Sequence, residues 1–166
     1  GIEGDSASSA ELYALLSSLA EVPIYQGIAV TGSVNQNGEI QPVGGVNQKV
    51  EGFFKVCKER GLNGKQGVII PQQNVEQLML DPEVVEAVKD RMFNVWAIER
   101  IDEGLEILTG RIAGERDEGG KFPTDSVHYL VNNKLTGWSY KRSSSAVRPG
   151  YHPNREMQRI RRRRGK

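Results

Sequence analysis

The 166-residue sequence is poor in the residues that build many familiar sites. Its single cysteine, Cys57, excludes an internal disulfide framework and a cysteine-based zinc cluster. Its two histidines, His128 and His152, are too few for a histidine-rich metal centre and make a Ser-His-Asp triad a poor fit. No run approaches the roughly 18 apolar residues that a membrane helix needs, so no membrane partner is expected. No basic-then-apolar leader opens the chain, and nothing in it reads as a signal peptide. A reducing, cytoplasmic setting is the expectation from this thiol usage.

What is present suffices for one folded domain. Hydrophobic residues make up 37% and charged residues 26%, a balance that excludes wholesale disorder. The net charge of +1 hides a split. Residues 139–166 carry ten lysines and arginines against one acid, Glu156, a net +9 that leaves −8 for the remainder. An acidic body with a basic tail follows.

Periodicity outlines the body. Leu12, Leu15, Leu16 and Leu19 recur at helical spacing, with Asp5 or Ser6 as the expected N-cap. Residues 28–34 read as a strand, 35–38 as a turn and 39–43 as a partner strand. Val46, Val50, Phe53, Phe54 and Cys57 predict a second helix to about residue 60, stopped by Gly61 and Gly64. A strand over 67–70 ends at Pro71, and helical material over 75–91 breaks before Pro82. A strand over 93–98 and a helix over 102–108 complete the pattern. The order predicts an α/β fold, a mixed sheet with flanking helices. The expected divisions are a core over 1–112, a linker and short helix over 113–138, and a disordered basic tail over 139–166. Cys57 and Trp96 read as packing residues, His128 as a helix-surface histidine, and Trp138 has no evident role.

Two glycine-containing elements can carry chemistry. The first, Gly4-Asp-Ser-Ala-Ser8, stands directly before the first helix. A serine there lies near unpaired N–H groups and the positive end of the helix dipole, a setting that suits a nucleophile. On spacing alone the simpler reading of Ser6 is a plain N-cap. The second, Gly44-Gly-Val-Asn-Gln-Lys49, leads into the second helix. Lys49 borders that helix's apolar stripe, where lost hydration disfavours the ammonium and leaves an amine able to act as a base. Its ordinary alternative is a snorkelling lysine. A serine with no histidine nearby needs another base, and lysine is a known substitute.

Gly4-Asp-Ser-Ala-Ser8 resembles the nucleophile motif of the Lon proteases. Ala29-Val-Thr-Gly-Ser33 and Gly38-Glu-Ile-Gln-Pro-Val-Gly-Gly-Val-Asn-Gln-Lys49 resemble the segment of that family that ends in its catalytic lysine. The 43-residue interval from Ser6 to Lys49 also fits. The resemblance runs from about Gly4 to Gly110 and is nearest the B-type branch, where Gly-Asp-Ser-Ala-Ser replaces Gly-Pro-Ser-Ala. It implies the Lon proteolytic-domain fold and a serine endopeptidase with Ser6 as nucleophile and Lys49 as general base. Thr31 would orient the lysine amine, and backbone N–H groups around Asp5 and Ser6 would form the oxyanion hole. Glu39 and Asn47 lie in or beside the second motif and receive no role.

The family further implies unfolded polypeptide substrates, a homo-oligomer in the form of a hexameric ring, and ATP-dependent proteolysis. No cofactor is expected in this chain. ATP and Mg belong to an ATPase module of a parent protein, and no Walker A pattern occurs here. The chain opens five residues before Ser6, whereas family members carry a β-rich segment upstream, so a fragment of a longer protein is expected. Two other readings use the same residues: a catalytically silent assembly domain, and nucleic-acid binding through the arginines at 161–164.

Overall fold

The computed structural model describes residues 4–145. The chain divides into two units, 1–132 and 133–166. In the first, helix α1 (Ser8–Ala20) precedes strand β1 (Ile28–Val30) and a short hairpin, β2 (Ser33–Val34) with β3 (Ile40–Gln41). Helix α2 (Val46–Arg60), strand β4 (Gly67–Pro71), a 3-10 helix (Gln72–Gln77), helix α3 (Pro82–Lys89), strand β5 (Asn94–Ile98) and helix α4 (Ile101–Thr109) follow. Helix α5 (Val127–Ser145) begins in this unit and runs into the second.

Strands β1, β4 and β5 form a parallel sheet in the order β1-β4-β5, with Val30 opposite Ile69 and Ile69 opposite Trp96. All five residues of β4 are buried, as expected of the central strand of a sheet covered on both faces. Alternate side chains go to opposite faces. Val68 and Ile70 join a cluster with Val50 and Phe54 of α2 and Val84 of α3. Ile69 joins a second cluster with Tyr13 of α1, Leu105 of α4 and Val127 of α5. The sheet thus has α2 and α3 on one face, and α1, α4 and the start of α5 on the other.

The α/β class and flanking helices stand, but parallel and antiparallel pairing occupy two sheets rather than one mixed sheet. The expected strand over 28–34 breaks at Thr31 and Gly32. Gly32 has a φ of +148°, which L side chains rarely adopt, and a Cβ there would stand only 3.1 Å from Ile40 Cγ2. The turn lets β1 stay in the parallel sheet while β2 turns away to pair with β3.

Other boundaries also differ. Ala7, with no side-chain cap, holds the N-cap place expected of Asp5 or Ser6. The Asp5 carboxylate instead accepts a hydrogen bond from Ser33 Oγ at 2.8 Å. The material over 75–91 starts as a 3-10 helix because the buried Asn74 side chain pairs with both backbone groups of Val43. Asn47 then holds the Gln77 carbonyl and the Met79 N–H, and α3 starts with Pro82 in its first turn.

Residues 113–132 are more than a linker. Ala113, Val127 and Val131 are buried in the α1/α4 cluster. Helix α5 continues to Ser145, past the boundary expected after Trp138. Its part in the second unit exposes Leu135, Trp138 and Tyr140. The arginines at 161–164, on which the nucleic-acid reading rests, and His152 lie outside the described residues. Among the described residues no helix is long and apolar enough to cross a membrane.

Candidate active site

The site lies where β1 gives out. Parallel strands direct their carboxyl ends to one side of the sheet, and the chain that leaves them forms a ready crevice. Thr31 follows β1 immediately, its N–H donating to the Ile69 carbonyl at 3.0 Å, and the residue is only 6% exposed. Lys49 is in the first turn of α2. Its Nζ donates to Thr31 Oγ1 at 3.2 Å. The Thr31 hydroxyl in turn donates to the Ser6 carbonyl at 3.5 Å, and the Gly32 N–H donates to the same carbonyl at 3.0 Å. One threonine hydroxyl therefore stands between the lysine amine and the Ser6 backbone.

The turn that carries Ser6 is tied to the segment after β1 by further bonds. Ser9 donates both its N–H, at 3.3 Å, and its hydroxyl, at 2.7 Å, to the Gly32 carbonyl. Val34 N–H donates to Ser8 Oγ at 3.0 Å, and Ser33 Oγ holds the Asp5 carboxylate. Among the described residues the N–H groups of Asp5 and Ser6 have no acceptor, and they stand just ahead of α1. Such groups favour a developing negative charge.

The four residues singled out from the sequence thus meet in one place, with two differences. Ser6 Oγ makes no hydrogen bond with Lys49 among the described residues. Lys49 was expected to press on the apolar stripe of α2 and lose water, yet it is exposed. The buried stripe of α2 is Val46, Val50, Phe54 and Cys57. Lys49 lies on its flank and extends to the sheet end rather than over the core.

His128 also departs from the surface role expected of it. Its Nε2 is 2.8 Å from Asp102 Oδ1 of α4, its ring lies 5.5 Å from that of Phe122, and Arg116 covers the other ring at 4.6 Å. The pair fastens the start of α5 to α4. Cys57 is buried, and burial pushes its thiol above the ordinary value. Among the described residues no three His, Cys, Asp or Glu side chains gather to hold a metal ion. Sequence reasoning missed Ser9 and Ser33, because a serine in a small-residue run carries no periodic signal.

Residues 2–110 match the family of the Lon protease (S16) C-terminal proteolytic domain. This chain belongs to the Lon protease family. It is 55% identical over 107 residues to a Lon protease homologue of Escherichia coli K12, covering 64% of this chain and 18% of that protein. A Lon protease homologue of Haemophilus influenzae is 44% identical over 136 residues, 82% of this chain and 23% of that protein. The archaeal Lon protease of Pyrococcus abyssi is 39% identical over 107 residues, 64% of this chain and 10% of its own length. The chain therefore spans less than a quarter of each of these relatives. The parallel sheet flanked by helices is consistent with a Lon proteolytic domain, and the Ser6, Thr31 and Lys49 cluster lies inside the matched range.

Proposed function

We propose that this Lon domain is a serine endopeptidase that cleaves peptide bonds through Ser6 and Lys49. The observation that carries the reading is the Thr31 hydroxyl, bonded to the Lys49 amine on one side and to the Ser6 backbone on the other. The reading is supported by the meeting, at the end of β1, of the Lys49 amine from α2 and the backbone of the Ser6 turn that precedes α1.

The chemistry runs in two halves. Uncharged Lys49 takes the proton of Ser6 Oγ as that oxygen bonds to the substrate carbonyl carbon. The oxyanion is held by the N–H groups of Asp5 and Ser6, and one such donor is typically worth about 3–4 kcal/mol. The tetrahedral adduct collapses, the C–N bond breaks, and the Lys49 ammonium protonates the leaving amine. Water then attacks the acyl-enzyme with Lys49 again as base, and Ser6 regains its proton. Thr31 keeps the amine aimed at the serine turn.

On the same reading the substrates are unfolded polypeptides, and the parent protein is a cytoplasmic, ATP-dependent ring of six subunits. This chain carries no Walker A pattern, so ATP and Mg would act in an ATPase module elsewhere in the parent.

Hydrolysis of an unstructured fluorogenic peptide tests the reading. Ser6→Ala and Lys49→Ala should each lower kcat by about a thousandfold or more, as expected for groups that act as a unit. The wild-type rate should climb with pH, because the base works only when uncharged. Equal hydrolysis by wild type and both variants would refute the dyad. A folded wild type that is inert towards both the peptide and a serine-directed covalent probe would favour the assembly-domain reading.

A further inference from the structure

The Ser6 carbonyl and the Lys49 amine share one neighbour, the Thr31–Gly32 peptide. Thr31 supplies the hydroxyl between them, and Gly32 supplies an N–H to Ser6. Whatever holds that peptide sets the distance from the serine turn to the lysine. β1 ends at Val30, and the peptide lies where the chain turns from one sheet to the other, so regular pairing does not hold it on both sides. On one side the Thr31 N–H donates to Ile69. On the other, the Gly32 carbonyl receives both donors of a single residue, Ser9, whose side chain is fully buried in the first turn of α1. Gly32 fits there because its φ of +148° disfavours any L side chain and a Cβ would stand 3.1 Å from Ile40 Cγ2.

We infer that Ser9 is a positioning residue for the dyad: by holding the Gly32 carbonyl from the first turn of α1, it locks the serine turn to the peptide that meets Lys49. This rests on the Ser6–Lys49 reading above. Ser9 touches neither substrate nor the reacting atoms. It closes a ring of hydrogen bonds that runs from Ser9 to the Gly32 carbonyl and from the Gly32 N–H back to the Ser6 carbonyl. Without the hydroxyl, the weaker 3.3 Å bond from the Ser9 N–H remains, and the ring loosens without opening.

The same helix provides a matched control. Ser17 Oγ donates to the Val22 carbonyl at 2.7 Å, a bond of the same kind and length at the far end of α1. The full chain is compared as wild type, Ser9→Ala and Ser17→Ala. Ser9→Ala should lower kcat for peptide hydrolysis about tenfold with KM within twofold, because substrate binding is intact and only the dyad's alignment suffers. By amide hydrogen exchange, the Gly32 N–H should exchange faster relative to the Phe93 N–H, which donates to the Ala87 carbonyl on the opposite face of the sheet. Ser17→Ala should leave kcat and that exchange ratio at wild-type values. Either readout of Ser9→Ala remaining where Ser17→Ala leaves it overturns the inference while the dyad stands. If Ser6→Ala and Lys49→Ala hydrolyse like wild type, the dyad reading falls and this one falls with it.

Discussion

Lys49 belongs to the helix pair on one face of the parallel sheet, and Ser6 leads into α1 on the other; the packing beneath them differs. The α2/α3 face is built from one contiguous stretch, Val46 to Phe93, and its cluster is apolar, with the Phe54 and Phe93 rings edge-on at 5.2 Å. The α1/α4/α5 face draws on residues from Tyr13 to Val131 and buries hydroxyls among them. Ser9 spends its hydroxyl on Gly32, Ser126 Oγ accepts from the Tyr129 N–H, and the Tyr13 hydroxyl, packed against Gly104, has no partner among the described residues. The contrast separates two jobs. One face supplies an inert platform for α2 and its lysine. The other uses buried polar groups to lock the serine turn, at some cost in stability, since a buried hydroxyl without a partner is unfavourable.

Substitutions can break or sharpen this contrast. The largest effect is expected on the apolar face. Phe54→Ala should lower unfolding free energy by about 3–5 kcal/mol, read from urea denaturation, because it leaves a cavity against Phe93. The molecules that remain folded should keep the wild-type kcat; a lowered kcat per folded molecule would mean that the platform is not inert.

A smaller effect of opposite sign is expected across the sheet. Tyr13→Phe should keep stability unchanged or raise it by about 1 kcal/mol at pH 7, since it removes an unpaired buried hydroxyl. Burial, with Asp102 and Glu103 nearby, pushes the Tyr13 phenol up from its ordinary 10.0. The unfolded chain then releases this proton first, so wild-type stability should fall as pH rises above about 10. Denaturation at pH 7 and above 10 should show a shallower loss in Tyr13→Phe. An equal slope in both proteins would mean that the hydroxyl is not shielded.

The smallest effect is expected at the His128–Asp102 pair, which is partly open to water. His128→Ala should cost about 1 kcal/mol or less in thermal or urea unfolding. It should leave kcat unchanged, because the pair ties α5 to α4 and touches no residue of the candidate site.

How far the sequence could be read depended on the range of the interaction. Helix α2 was legible, with its end expected at about residue 60, because its stripe repeats every three or four positions and glycines bracket it. Strands β4 and β5 were legible from short apolar runs bounded by glycine, proline and polar residues. The break at Gly32 was not, since a lone glycine within residues 28–34 also fits a continuous strand, and the bonds that hold the turn come from Ser6, Ser9 and Ile69, all distant in sequence. Nor was the burial of residues 113–131, where sparse apolar positions find partners only on α4 and α1.

The sequence by itself determined the α/β class, the order of the elements, the two glycine-containing motifs and their family, because each is written in local pattern or in residue identity at fixed spacing. The tertiary structure decided what surrounds those motifs. It left Lys49 exposed with its amine on Thr31, took Asp5 from helix capping to Ser33, and put Ser9 on Gly32. The physical reason is common to all three. Each is a hydrogen bond between groups 18 to 28 residues apart, and such a bond has no periodicity to announce it until the sheet has brought its ends together.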